Sequence, residues 1–398
     1  MNHLTLSASY LKHKPASTAL NILTFTLGVA LITALLLINA QIRNEFTKNL
    51  AGIDLVVGGK GSPMQLILSS VFHIDIPTGN IPLEEADKLS KHMMIKATMP
   101  LAMGDNYQSF RIVGTTPAYP MHYGAQLAAG EYWKAPLDAV LGADVAAKSK
   151  LALHGHFVGS HGLTAGGEEH EAFPYTVTGI LKPTGTVIDR LVLTGIDSVW
   201  KIHEHPDEDS EVKSDPAHRE ITSLLVTYRT PMAAVALPRE INRSTSMQAA
   251  SPAFEVARLM SLMGVGTDTL QAVGGLLMAL AGLGIFASLY NAMNERRYDL
   301  ALMRSLGMKP GKLYALIVTE GMIVSLLSVG LGLLTGHALV HLTASWLMNS
   351  KHIHITGNVF LPEELQLIAA SLAIGLIAAL IPAIRVYRID IFKTLGQG

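Results

Sequence analysis

Sixteen histidines are the residues in this sequence best placed to do chemistry. His154, His156, His161 and His170 share one glycine-rich stretch with Glu168 and Glu169. His203 and His205 stand beside Asp207, Glu208 and Asp209. His352 and His354 alternate in a short connection, and His337 and His341 are one helical turn apart. Imidazole combined with carboxylate suits zinc, copper or nickel. The candidate metal ligands are therefore His154, His156, His161, His170, His203 and His205. The plainer alternative stays open. An x-His-x-His pattern in a polar loop commonly gives weak, adventitious binding, and a built site needs supporting hydrogen bonds.

Other chemistries are quickly narrowed. Cysteine is absent, which excludes disulfides, thiol catalysis, Cys-ligated zinc and iron–sulfur clusters. Neither H-E-x-x-H nor G-x-S-x-G occurs, and no catalytic residue is assigned. Leu55-Val-Val-Gly58-Gly59-Lys60-Gly61-Ser62 superficially suggests a phosphate loop. It lacks the G-x-x-x-x-G-K-[ST] spacing and reads instead as a glycine turn after a strand.

The elements that must position these residues begin with a membrane. Of 398 residues, 49% are hydrophobic and 15% charged, against about 25% charged in soluble domains. Mean hydropathy is +0.34. A net charge of -1 gives no basic excess for nucleic acid. Apolar runs occupy 19–38, 270–290, 313–340 and 365–384. Each is long enough for a helix of about 30 Å, the thickness of a bilayer core. The first is longer than a signal peptide's apolar region of about 7–15 residues, and Ile38-Asn39-Ala40 is a poor cleavage site. It is expected to stay as an anchor.

The layout follows: 1–41 as an N-terminal segment with the first span, 42–269 as one large insert, and 270–398 with the other three spans. Lys12 and Lys14, then Arg296, Arg297, Arg304, Lys309 and Lys312, then Arg385, Arg388 and Lys393 all fall on one side of four spans. The 341–364 connection holds only Lys351. By the positive-inside rule both termini are cytoplasmic and the insert is extracytoplasmic. The insert reads as mixed α/β. Strands are expected at 53–57, 95–100, 109–113, 175–181, 190–194 and 222–228, and helices at 83–92, 136–149 and 247–262. The fold class is thus an α-helical membrane protein of four transmembrane helices, with a large α/β extracytoplasmic domain between the first and second.

The connection between spans two and three predicts a short helix over 295–306, stopped by Gly307 and Pro310. It carries Glu295, Arg296, Arg297, Asp299 and Arg304 as polar residues and Leu300, Met303 and Leu306 on one flank. Such a helix can press on a soluble partner; a basic membrane-flanking loop is the alternative. Gly274, Met278 and Gly282, and Gly332 with Gly336, put small residues at helical spacing, which lets helices pack closely in lipid. Glu320 lies within the third span, where a carboxylate is costly and should face a helix interface.

Glu295-Arg-Arg-Tyr-Asp-Leu-Ala-Leu-Met-Arg-Ser-Leu-Gly-Met resembles the segment between spans two and three of FtsX-like permeases, the membrane subunits of MacB-type (type VII) ABC transporters. Glu320-Gly-Met-Ile-Val-Ser-Leu-Leu with Gly330-Leu-Gly332-Leu-Leu-Thr-Gly336 is similar to their third span. Ile381-Pro382-Ala-Ile-Arg385-Val-Tyr-Arg388 is similar to the exit of their fourth. Val140-Leu-Gly142-Ala-Asp144 and Gly179-Ile-Leu-Lys-Pro183-Thr-Gly185 resemble the periplasmic core domain.

The resemblance implies an inner-membrane permease subunit working as a homodimer. A separate cytoplasmic ABC ATPase dimer would bind ATP and dock on Glu295, Arg296, Arg297, Asp299, Leu300, Met303 and Arg304. No cofactor would be intrinsic, and the partners would include membrane lipids and a periplasmic adaptor or substrate-binding protein. ATP-driven motion would be transmitted to the external domain. Gly274, Gly282, Glu320, Gly332, Gly336 and Pro382 would serve packing between spans. Gly52 to Pro63 with Phe72-His73-Ile-Asp75-Ile-Pro77 resembles a Gram-negative subgroup linked to zinc-uptake gene clusters. That leaves zinc, or peptide or lipoprotein handling, as the expected business. A membrane-anchored periplasmic metal sensor or enzyme is the competing reading.

Overall fold

The computed structural model describes residues 15–162, 170, 172–203, 219–351 and 355–385, with the side chains of 345–351 left aside. Lys12, Lys14, Glu168, Glu169, His205, Asp207, Glu208, Asp209, His352, His354, Arg388 and Lys393 lie outside the described residues. In chain order the elements are α1 (Pro15–Leu50), β1 (Leu55–Gly59), α2 (Pro63–Ser70), β2 (Ile81–Pro82), α3 (Leu83–Ser90), β3 (Ile95–Tyr107), β4 (Phe110–Thr115), α4 (Ala118–His122) and β5 (Leu127–Gly130). Then come β6 (Asp138–Leu141), α5 (Ala143–Ser149), β7 (His156–Phe157), β8 (Ser160–His161), β9 (Tyr175–Leu181), β10 (Leu191–Gly195), α6 (Ile196–His203), β11 (Glu220–Ile221), β12 (Ser223–Tyr228), α7 (Ala233–Ser244) and β13 (Met247–Ala250). The last helices are α8 (Pro252–Glu295), α9 (Arg297–Ser305), α10 (Pro310–Lys351) and α11 (Pro362–Ile384). Two compact units result: a helical one, up to Arg43 and from Ser261 onwards, and a sheet unit, Asn44–Met260.

In the helical unit, four helices are long and apolar enough to cross a membrane: Pro15–Leu50, Pro252–Glu295, Pro310–Ala344 and Pro362–Ile384. The first three run to 36, 44 and 35 residues, beyond the about 20 that a crossing takes. Each therefore continues past the apolar layer. Leu276, Leu283, Leu334 and Leu342 point outward, as suits a lipid solvent. Phe25, Val29, Met278, Ile285, Leu313 and Ala379 pack inward.

Glycine sets the distances between these helices. A Cβ on Gly274 would stand 2.6 Å from Ile32 Cγ1, and one on Gly28 would stand 3.0 Å from the Gly274 carbonyl. So α1 and α8 touch through backbone. On Gly332 and Gly336 a Cβ would meet Val29 at 2.6 Å and Thr33 at 2.8 Å, which joins α1 to α10. Gly282 faces Ile374 of α11 at 2.7 Å, and Gly321 faces Ala379 at 2.6 Å. Van der Waals contact must do this work, because lipid gives apolar surface no drive to associate. Pro382 is buried in the last turn of α11.

The sheet unit is built on an eleven-stranded mixed sheet in the order β13-β1-β12-β3-β4-β10-β6-β9-β5, with β7 added to β9 and β8 to β3. β4–β10 and β6–β9 are parallel pairs. Both faces are covered, and the period-two alternation shows it. Val56 and Leu225 join one apolar layer, while their neighbours Leu55, Val57, Leu224 and Val226 join another. Leu66 and Ile67 of α2 cap the first layer; Leu237 and Ile241 of α7 cap the second.

Two expected helices are corrected. Residues 136–149 divide into strand β6 and helix α5. Val140 and Leu141 are claimed by β10 and β9 on either side. Residues 247–262 likewise begin as strand β13, whose Met247 to Ala250 pair with β1, and turn helical only at Pro252. The glycine segment after β1 is a strand-to-helix turn as expected. Ser62 caps α2 by accepting from the Gln65 N–H, with Pro63 in its first turn.

Candidate functional site

Helix α9 is held by its own sequence. Arg296 sits between α8 and α9 outside helical geometry, with φ -92° and ψ 13°. Gly307 takes φ 94° just past the end, the left-handed conformation that closes a helix. Leu300 and Ala301 are buried. Leu300 belongs to the bundle core, and Met303 packs against it. The Arg296 guanidinium donates to Glu320 Oε1 at 3.1 Å, with Glu320 buried. Beside the pair is a void of about 10 Å³, room for one water. Glu295, Arg297 and Asp299 face outward with Tyr298, Leu302 and Leu306; Arg304 is half-buried. The helix therefore has an anchoring side of Leu300 and Met303, with Arg296 just before it, and a free side of Arg297, Tyr298 and Leu302; Leu306, expected on the flank of Leu300 and Met303, follows the last turn and is exposed instead.

The histidines separate into two sets. His161, His170 and His203 converge on Asp105, which the sequence reading did not single out. His161 Nδ1 lies 3.2 Å from Asp105 Oδ1, and His170 Nε2 and His203 Nε2 each lie 3.6 Å from the same oxygen. Asp105, His161 and His203 present ligand atoms that all fall within 4.8 Å of one another. The backbone explains the convergence. The β3–β4 register shifts between Met103 and Asn106, a bulge that re-aims side chains. Asp105 pairs across the ladder with His161 of β8. Asn106 donates to the carbonyls of Ser160 and Gly162, fixing that loop, and the His170 N–H donates to Gly159 O. His203 is the last residue of α6. A Cβ at Gly104 would stand 2.9 Å from His203 Nε2, so glycine leaves the space this ring occupies. Burial pushes His203 below its ordinary value, with Asp105 opposing and the other two imidazoles adding to the shift.

His154 and His156 stay outside the cluster. His154 closes a turn at φ 64°, and His156 Nδ1 contacts Thr176 Oγ1 at 3.1 Å. In the helical unit, His337 bridges Gly357 O at 2.7 Å and Glu364 Oε2 at 2.9 Å. Glu364 also accepts from the Leu361 N–H at the start of α11. That histidine is a structural tie.

Four membrane helices carrying a two-faced α/β domain between the first and second describe a multi-pass permease subunit. The family model for the MacB-like periplasmic core domain matches residues 18–243, and that for the FtsX-like permease C-terminal matches residues 272–391. The chain belongs to the MacB/FtsX-like family of ABC-transporter permeases. It is accordingly a multi-pass protein of the bacterial inner membrane with a large periplasmic domain. Permeases of this family work with cytoplasmic ABC ATPases and often as dimers.

Among solved structures the chain is similar to the periplasmic region of MacB from Actinobacillus actinomycetemcomitans. That match has 13% identity, covers 54% of this chain and 97% of that one, and has a TM-score of 0.34. It is also similar to the extracellular domain of the noncanonic ABC-type transporter YknZ from Gram-positive bacteria, with 13% identity, 50% and 99% coverage and a TM-score of 0.30. No curated protein matches it.

Proposed function

We propose that this chain is the lever of a homodimeric ABC transporter. A separate ATPase docks on α9, and the closing of the ATPase pair is transmitted through the spans to the periplasmic domain. The observation that carries this reading is the two-sidedness of α9. Its anchoring side is fastened to the bundle by Leu300, Met303 and the Arg296–Glu320 pair. Its free side offers Tyr298 and Leu302, with Leu306 just past the last turn; the three are 48%, 43% and 80% exposed. A helix fixed on one side and offering apolar side chains among charged ones on the other passes a push on to the helices behind it. The close glycine contacts of α1, α8, α10 and α11 keep that push from being absorbed by loose packing. Substrate need not pass between the spans in such a device.

Co-purification from native membranes tests this. The wild-type chain should bring down an ATP-hydrolysing subunit, and Leu302→Glu with Leu306→Glu should lose it without changing the chain's thermal midpoint. Retention of the ATPase by that variant would remove α9 from the interface. As to cargo, the Asp105 cluster favours metal-linked work over peptide or lipoprotein handling. The same cluster is what supports the rival reading of a membrane-anchored metal sensor.

A further inference from the structure

The carboxylate of Asp105 is a buried group in the sheet unit whose surroundings the lever does not account for. Its side chain is 2% exposed, yet among the described residues neither Oδ1 nor Oδ2 has a hydrogen-bond partner. The His170 Nε2 atom is likewise buried and has no hydrogen-bond partner among the described residues. Burying a carboxylate without such partners is costly unless a cation compensates it. We propose that Asp105, His161 and His203 bind one divalent transition-metal ion of the zinc type, with His170, 3.6 Å from Asp105, as the neighbour able to move in as a fourth ligand.

The spacing fits coordination better than direct bonding. An N–H···O bond draws its heavy atoms to about 2.7–3.2 Å. Ligands about 2.0–2.1 Å from a tetrahedral zinc stand about 3.3–3.4 Å apart. Three imidazole nitrogens at 3.2, 3.6 and 3.6 Å from one carboxylate oxygen straddle that value. The donor set is one oxygen and two nitrogens, with a third nitrogen at hand on His170. It suits zinc, nickel or copper and excludes magnesium and calcium, which take oxygen ligands. Access is open, since the side chains of His161 and His203 are 45% and 35% exposed, while Asp105 sits at the floor. The bulge at Asp105, the glycine at 104 and the clamp from Asn106 all serve this geometry. A bound ion would tie β8, the His170 backbone and the end of α6 to β3. The site does not depend on the docking of an ATPase.

The test uses the full chain in detergent, stripped with a chelator and titrated with zinc, with bound metal counted by elemental analysis. One zinc per chain is expected, undisturbed by excess magnesium and accompanied by a rise in thermal midpoint. Asp105→Asn and His203→Ala should each weaken binding more than about tenfold and remove that rise. His154→Ala with His156→Ala should leave both intact. If Asp105→Asn no longer melts cooperatively, His203→Ala carries the comparison, since its side chain is partly in solvent. Sub-stoichiometric zinc in the wild type would overturn the site. So would wild-type affinity in Asp105→Asn or His203→Ala, or loss of binding in the His154, His156 variant, which would assign the ion to the exposed loop.

Discussion

Arg296 and Glu320 lie 3.1 Å apart and fasten the corner between α8 and α9 to the third span. Arg296 is thus a tether, while its neighbour Arg297 is exposed. Removing one partner of a buried pair leaves a stranded charge, at a cost of about 3–5 kcal/mol. Arg296→Ala should therefore lower the thermal midpoint of the detergent-solubilised chain. Arg297→Glu should leave the midpoint alone and weaken ATPase co-purification instead. Equal effects of the two on stability would mean the ion pair does not hold the corner.

Gly332 and Gly330 make a matched pair in α10. A Cβ on Gly332 would stand 2.6 Å from Val29 Cβ and 3.1 Å from Thr26 O. Val29 is β-branched and stiff, so the helices must part. Gly332→Ala should cost about 1–3 kcal/mol as overpacking. Gly330 has open space where its Cβ would go, and Gly330→Ala should gain up to about 1 kcal/mol of helix propensity. Opposite shifts in thermal midpoint are the expected signature, and shifts of the same sign would deny that α1 and α10 meet at this glycine.

The spans were legible because twenty uncharged residues admit few readings. Gly274, Gly282, Gly332 and Gly336 could be picked out by spacing, but Gly28, Gly321 and Gly375 were not, since only the neighbouring helix shows which face is crowded. In the sheet unit the strand at 95–100 was visible, but its continuation through Gly104-Asp105-Asn106 has the composition of a turn. Its hairpin closes on Gln108 and Ser109, both at positive φ, rather than on the usual Asn-Gly. Asp105 was hidden for that reason. The histidines it collects lie far along the chain, and local clustering grouped His161 and His170 with His154 and His156 rather than with His203.

Gly104 allows a steric test of the metal site that replaces no ligand. Its Cβ would collide with the far end of the His203 ring at 2.9 Å, and that ring can swing outward toward solvent. Gly104→Ala should leave the thermal midpoint of the metal-free chain nearly unchanged and reduce zinc affinity by about tenfold or more. A zinc titration in which Gly104→Ala matches the wild type would show that His203 need not occupy this position.

His73 makes the periplasmic domain sensitive to acid. It is buried, with Nε2 2.8 Å from the Tyr119 hydroxyl and Nδ1 3.3 Å from Met103 Sδ. Sulfur only accepts weakly, so Nδ1 carries the proton and Nε2 accepts from tyrosine. Burial, together with the charges of Arg111 and Arg190, pushes the His73 pKa from 6.5 down to about 3. Above about pH 6.5 neither the folded nor the unfolded chain protonates this ring, and its contribution to stability is complete. Between about 6.5 and 3 the unfolded chain takes up a proton that the folded one refuses, so stability falls as pH falls. The slope reaches about 1.4 kcal/mol per pH unit from this group. Below about 3 no further loss comes from it. His73 also holds φ 54°, which asparagine tolerates better than most residues. His73→Asn should therefore flatten the stability profile between pH 6.5 and 4 by about one proton relative to wild type, read by denaturant unfolding at each pH. Parallel profiles for the two chains would show that the ring titrates normally in the folded state.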